Sequence, residues 1–137
     1  MIADDEPDIL EIIQFNLQSE GYEVVTAKNG EEAFEKAKKF SPDLIMLDIM
    51  MPGKNGIEGV WEIKERWPEI KVIMLTVFED EEKIFGAIKA GANGYLLKKD
   101  SPQKILDAIE AVYNGESPMN GLIATKVIEY FHAQKNK

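Results

Sequence analysis

A doubly wound α/β sandwich, built from five βα units around one parallel sheet, is the fold this sequence predicts. Short apolar runs rich in Val, Ile, Leu and Met alternate with longer segments of helical period. Pro, Gly and Ser mark several of the junctions between them. With 45% hydrophobic residues in 137, the chain can bury one core and is too short for two ordinary domains.

The first strand is the weakest element, because only Met1, Ile2 and Ala3 precede the Asp4-Asp5 pair, whereas a strand normally has about 5 or 6 residues. Either residues have been lost from the beginning or the strand is stunted. The first helix is expected over 7–20, with Pro7 in its first turn, Ile9, Ile12, Ile13 and Leu17 as its buried stripe and Gly21 as its stop. Residues 23–27 read as the second strand. A second helix over 30–40 should bury Ala33, Phe34 and Ala37, and Ser41-Pro42 ends it. In the third strand, 43–48, the unbroken Leu44-Ile45-Met46-Leu47 suits a central strand covered on both faces.

A third helix over 56–67 leads to a fourth strand over 71–76. Asp80 can cap a fourth helix stopped by Gly91, the fifth strand is 94–97, and Ser101-Pro102 opens a fifth helix ending near Gly115. Residues 116–120 form a turn-like link to an extra amphipathic helix over 121–133, with Ile123, Val127 and Phe131 at i, i+4, i+8. The tail 134–137 should fray.

Composition excludes several classes of function. No stretch approaches the roughly 20 apolar residues of a membrane span, and the N-terminus lacks the basic-then-apolar layout of a secretion signal. A cytoplasmic protein with no membrane partner is therefore expected. Without cysteine and with a single histidine, His132, there is neither thiol chemistry nor a zinc cluster, so any metal must be held by oxygen. The net charge of −9 repels polyanions, and no nucleic acid should bind this chain alone.

The unusual polar residues obey a rule of open parallel sheets, whose ligands lie beyond the carboxyl ends of the strands. Asp4 and Asp5 end the first strand, Asp48 the third and Thr76 the fourth, and Lys98 lies just past the fifth. Three carboxylates so close would raise one another's pKa unless a cation sat among them. Mg²⁺ suits such a site, since it takes one or two carboxylates, keeps waters and accepts a phosphate oxygen. Asp48 could then attack phosphorus and form an aspartyl phosphate, with the metal and Lys98 neutralising charge on the transferring group. Thr76 could donate its hydroxyl to a phosphoryl oxygen, drawing a nearby loop inward.

Five marks now stand in order at βα spacing: Asp4-Asp5-Glu6-Pro7; Asp48-Ile49-Met50-Met51-Pro52 followed by Gly56; Leu75-Thr76; Gly91-Ala92; and Gly94-Tyr95-Leu96-Leu97-Lys98. With them the chain resembles the receiver domain of bacterial two-component response regulators from residue 2 to about 115. The resemblance implies a flavodoxin-like fold of strand order 2-1-3-4-5, with 1–116 as the receiver and 117–137 as a linker with an added helix. It makes Asp48 the phosphoacceptor, and has Asp5, Asp48 and the Met50 backbone carbonyl hold Mg²⁺ with Asp4 assisting. Thr76 and Tyr95 become a coupled switch pair and Lys98 the phosphate-facing cation. The implied donor is a phosphohistidine on a sensor histidine kinase or phosphotransfer protein, docked beside the first helix. Output is expected through the face near Tyr95 and the fourth and fifth helices. The chain would be a regulator rather than a turnover enzyme.

Two departures accompany the resemblance. Lys99 stands where many receivers carry proline after the lysine, as in the subfamily with four-helix helix-turn-helix effectors, which residues 75–127 resemble. The first half, with Glu20-Gly21-Tyr22-Glu23-Val24 and the Met-Met-Pro-Gly turn, is closer to receivers of winged-helix regulators. The chain thus reads as a hybrid. No DNA-binding domain is expected within the 137 residues, so it also reads as a truncated, engineered or stand-alone receiver.

Plainer readings exist for each residue. Asp4-Asp5 could be a solvated turn, Thr76 a β-former at a strand end, Tyr95 packing in an edge strand, and Lys98-Lys99 a solvated pair. His132 reads as a surface residue. The last helix should pack on this domain or on a partner, a homodimer included. Among rival functions, an aspartyl-phosphate phosphatase would want a second Asp two residues after the nucleophile, where Met50 stands. A flavin module would want a neutral phosphate loop where Asp4-Asp5 stands. A relic receiver acting as a non-phosphorylated interaction module stays open. Met50 and Phe78, two places after Asp48 and Thr76, should flank the path of attacking water and slow self-dephosphorylation.

Overall fold

The computed structural model describes all residues except 50–55, 78, 79, 120, 136 and 137. Its sheet has five parallel strands in the order β2-β1-β3-β4-β5, namely β1 (Ile2–Ala3), β2 (Thr26–Ala27), β3 (Leu44–Leu47), β4 (Lys71–Thr76) and β5 (Gly94–Leu97). The helices are α1 (Pro7–Ser19), α2 (Gly30–Phe40), α3 (Gly56–Arg66), α4 (Glu81–Ala90), α5 (Pro102–Tyr113) and α6 (Gly121–Lys135). This is the flavodoxin-like architecture predicted above, with its short first strand and additional last helix.

Side-chain alternation along the strands builds the two layers. Ile45, Leu47, Val72, Met74, Tyr95 and Leu97 face one way and pack with α2, α3, α4 and α6 through Ala33, Ala37, Val60, Ile63, Ile84, Ala87 and Ile123. Ile2, Leu44, Met46, Ile73, Leu75 and Leu96 face the other way, onto Leu10, Ile13 and Leu17 of α1 and Ile105, Ala108, Ile109 and Val112 of α5. Because both faces are covered, the strands are apolar throughout, as parallel strands must be. Asn29, Asp80 and Ser101 cap α2, α4 and α5, each accepting from the backbone N–H three residues on. Gly91 ends α4 with φ of 108°, a conformation that favours glycine.

Local differences from the expectations have physical causes. β2 has two residues rather than five because its partner β1 offers only Ile2 and Ala3 to pair with. On α1 the buried stripe is Leu10, Ile13 and Leu17 at i, i+3, i+7, while Ile12 is exposed and Ile9 half-buried. The apolar band is wider than the buried face, and packing selects the phase. Phe34 is only half-buried, since its ring lies against Trp67 at 5.3 Å between centroids and beneath the Arg66 guanidinium at 5.0 Å.

The link after α5 does more than turn. Pro118 accepts the backbone N–H of Tyr95 at 3.0 Å and Met119 bridges Tyr95 in parallel, so the chain lies along the outer edge of β5. A side chain at Gly94 would meet Pro118 Cγ at 2.9 Å, which is why the strap can come so close. α6 then returns over α4. Ile123 is fully buried and the Tyr130 ring stacks on Phe85 at 3.6 Å, whereas Phe131 stays exposed and touches Phe85 edge-on. Among the described residues no helix is long and apolar enough to cross a membrane.

Candidate functional site

The sheet register delivers three polar side chains to one place. Ala3 pairs with Leu47 and Thr76 with Leu97, and each strand ends there in a polar residue. Asp4, Asp48 and Lys98 continue the rows of Ile2, Met46 and Leu96, whose side chains face α1 and α5. Main-chain bonds fix the ends: Asp4 N–H to Ala27 O at 3.0 Å, Asp48 N–H to Ala3 O at 3.0 Å and Lys98 N–H to Thr76 O at 2.9 Å.

There the Lys98 ammonium meets three carboxylates, with Nζ 3.0 Å from Asp4 Oδ2, 3.0 Å from Asp48 Oδ2 and 2.8 Å from Glu6 Oε1. The side chains of Asp4, Asp48 and Lys98 are 1%, 3% and 7% exposed, so these ions are held out of bulk water. Burial pushes the Asp4 carboxyl above the usual aspartate range, against the opposing pull of the Glu6 N–H and Lys98. Burial also disfavours the Lys98 charge, but hydrogen bonds to Glu6 and Asp48 and the ion pair with Asp4 outweigh it and raise Lys98 above the usual lysine range.

Among the described residues negative charge is in excess, since the Lys98 ammonium faces Asp4, Asp48 and Glu6, and Asp5 stands exposed beside them. Carboxylate oxygens of Asp4, Asp5 and Glu6 lie within 4.8 Å of one another. Asp4 Oδ1 accepts the Glu6 N–H at 2.8 Å. Asp4 Oδ2, though buried, meets Lys98 only as an ion pair, without a well-directed hydrogen bond. All-oxygen donors, surplus negative charge and a buried oxygen short of a donor fit a hard divalent cation such as Mg²⁺. Met50, whose carbonyl was expected among the ligands, lies outside the described residues, as does Phe78.

Thr76 and Tyr95 belong to the opposite sheet face. Tyr95 pairs in register with Met74, two residues before Thr76, which puts both side chains on the α4 and α6 side. Both are fully buried, and their hydroxyls share a hydrogen bond. Burial raises the Tyr95 phenol well above the usual tyrosine range, the Asp80 charge adds to this, and the Thr76 bond opposes it. The expected switch pair is thus in contact, and Tyr95 is also a core residue rather than an open edge aromatic.

In the sequence Glu6 stands only as part of a motif, and its sole signal is an acid placed directly before the helix-opening Pro7. Gly56 was noted for its spacing, and the structure supplies the reason. Its N–H donates to Ile49 O at 2.8 Å, and a Cβ there would lie 2.3 Å from Asp48 O. α3 therefore begins against the backbone of Asp48 itself, which only glycine permits.

A family model described as the response regulator receiver domain matches residues 1–110. The transcriptional regulatory protein LnrK of Bacillus subtilis (strain 168) is 43% identical over 117 residues, covering 84% of this chain and 53% of LnrK. The chain thus spans about half the length of that curated relative. The crystal structure of a LuxR-family two-component response regulator from Aurantimonas sp. SI85-9A1 superposes with a TM-score of 0.86 at 30% identity, covering 95% of this chain and 94% of that one. A CheY-like receiver domain protein from Methanospirillum hungatei JF-1 gives 0.80 at 30% identity, covering 83% and 91%.

Proposed function

The chain belongs to the response regulator receiver domain family, and from that premise we propose that it is a phosphorylation-dependent switch whose phosphoacceptor is Asp48. The observation that carries the reading is the Lys98 ammonium 3.0 Å from both Asp4 and Asp48 at one rim of the sheet. The donor is a phosphohistidine of a sensor histidine kinase or phosphotransfer protein. An Asp48 carboxylate oxygen forms a bond to phosphorus as the P–N bond breaks, and the departing imidazole nitrogen keeps the electron pair and takes a proton from solvent.

Asp5 and Asp48, with Asp4 assisting and the Met50 carbonyl as a further ligand, would hold Mg²⁺, which would supply neutralisation of charge on the phosphoryl oxygens. Lys98 orients the Asp48 carboxylate and offers an N–H to the arriving group. Thr76 turns its hydroxyl from Tyr95 toward a phosphoryl oxygen, and because Tyr95 packs under α6 and the 118–119 strap, the change is felt on the α4–β5 side. The chain works as a cytoplasmic regulator and not as a turnover enzyme. Its net charge of −9 argues against nucleic acid as a direct partner. A homodimer is a further partner option. The hybrid reading rests on the sequence motifs alone.

Incubation with Mg²⁺ and phosphoramidate followed by intact mass tests the reading. One added phosphate is expected, absent from Asp48→Ala and absent when EDTA is present. A chain that takes up no phosphate would instead be the relic interaction module.

A further inference from the structure

Lys98 has three N–H bonds and three carboxylate partners within 3.0 Å, yet the partners are not alike. The side chains of Asp4 and Asp48 are buried, whereas that of Glu6 is 55% exposed and makes the shortest contact, 2.8 Å. The backbone of Glu6 is fixed on both sides: its N–H donates to Asp4 Oδ1 at 2.8 Å and its carbonyl accepts the Leu10 N–H at 3.1 Å. Pro7 then restricts the Glu6 backbone to extended conformations, and φ of −92° with ψ of 110° conforms. The carboxylate is therefore aimed at Lys98 from the solvent side. A phosphoryl group arriving at Asp48 needs at least one ammonium N–H, and the partner cheapest to displace is the solvated one.

Building on the phosphoacceptor reading above, we propose that Glu6 is a positioning residue that holds the Lys98 ammonium at the mouth of the site, so that a phosphodonor must displace the Glu6 carboxylate to engage it. The contact joins residues 92 apart in sequence and lies on the exposed side of the cluster. Loosening it favours donor binding and leaves the chemistry at Asp48 unchanged.

The test measures the rate of phosphorylation by phosphoramidate, at saturating Mg²⁺, across donor concentrations in the full chain and in Glu6→Asp, Glu6→Gln and Glu6→Ala. Asp8→Asn removes a nearby exposed charge that makes no contact with Lys98 and is the electrostatic control. Glu6→Asp keeps the charge but is one methylene shorter. The proposal expects Glu6→Asp and Glu6→Ala each to lower the half-saturating donor concentration by about 3- to 10-fold with maximal rate unchanged, and Asp8→Asn to change it by less than about 2-fold. If Glu6→Asp matches the unsubstituted chain while Glu6→Ala and Glu6→Gln do not, only charge matters and the proposal is overturned. Three variants with unchanged half-saturation overturn it as well.

A second readout needs no phosphorylation. In metal-free protein the Lys98 ammonium protons should exchange slowly enough to be seen by ¹⁵N-resolved NMR, and about 3-fold or more faster in Glu6→Ala and Glu6→Asp. Unchanged exchange overturns the proposal, whatever the phosphorylation data. Absence of any adduct on the unsubstituted chain would instead sink the phosphoacceptor reading and leave the Glu6 contact to be judged by exchange alone.

Discussion

The carboxylate rim and the α4–β5–α6 flank meet at Thr76 but are held together by opposite physics. At the rim, Asp4, Asp48 and Lys98 are buried ions, and among the described residues acidic groups outnumber the cation that binds them. On the flank, Ile123 is fully buried, Tyr130 stacks on Phe85 at 3.6 Å and Pro118 lies against Gly94, contacts in which no net charge takes part. Charge arrangements respond to ions and phosphoryl groups, while apolar packing does not. A switch needs both kinds of region, one that changes its preferences when charge arrives and one rigid enough to pass the change on.

The comparison breaks most visibly at Lys98. Lys98→Met leaves two buried carboxylates without their cation and should cost about 3–5 kcal/mol in metal-free buffer, read as a lowered urea midpoint. Mg²⁺ should recover a large part of that loss, since a cation at 100 times its dissociation constant stabilises by about 2.7 kcal/mol. A variant whose midpoint ignores Mg²⁺ would mean the rim is not held by charge balance. The flank counterpart is Ile123→Ala, expected to cost about 2–4 kcal/mol with the same loss in Mg²⁺ and in EDTA. A cost below about 0.5 kcal/mol would show that α6 is not seated on the domain in solution, because a surface site loses no more than that.

The same division explains what the sequence discloses. Polar residues at strand ends in a βα pattern have few structural uses, so Asp4, Asp48, Thr76 and Lys98 could be placed on one rim before any coordinates, and sheet register brings three of them together. Element bounds set by glycine, proline and caps were equally legible, as at Asp80, Gly91 and Ser101-Pro102, whereas the Asn29 cap of α2 emerges only in the structure. Helix phase was less so, where apolar residues outnumber the buried face: Ile12 on α1 and Phe131 on α6 fall on the expected stripes and are exposed. Glu6 was illegible for another reason. Its role depends on an ammonium 92 residues away, which no local pattern carries.

The smallest expected effect isolates the electrostatic cost inside the rim. Because burial holds the Asp4 carboxyl above its usual range, the folded chain binds that proton more tightly than the unfolded chain does. Above the raised pKa the ionised group therefore lowers stability, and the penalty is relieved as pH falls through the folded-state value toward the unfolded one. Asp4→Asn should accordingly be more stable than the unsubstituted chain near neutral pH in EDTA, by on the order of 1 kcal/mol. Its advantage should shrink steadily on acidification as Asp4 in the parent takes up its proton. In Mg²⁺ the advantage should also shrink, since the carboxylate then gains a cation that the amide binds poorly. Ile123→Ala, measured beside it, should keep a constant deficit across the same pH and Mg²⁺ range. An Asp4→Asn difference that stays flat with pH would mean that the shared Lys98 contact already offsets the burial of Asp4, and the rim would then rest on a settled ion pair rather than on a strained excess of charge.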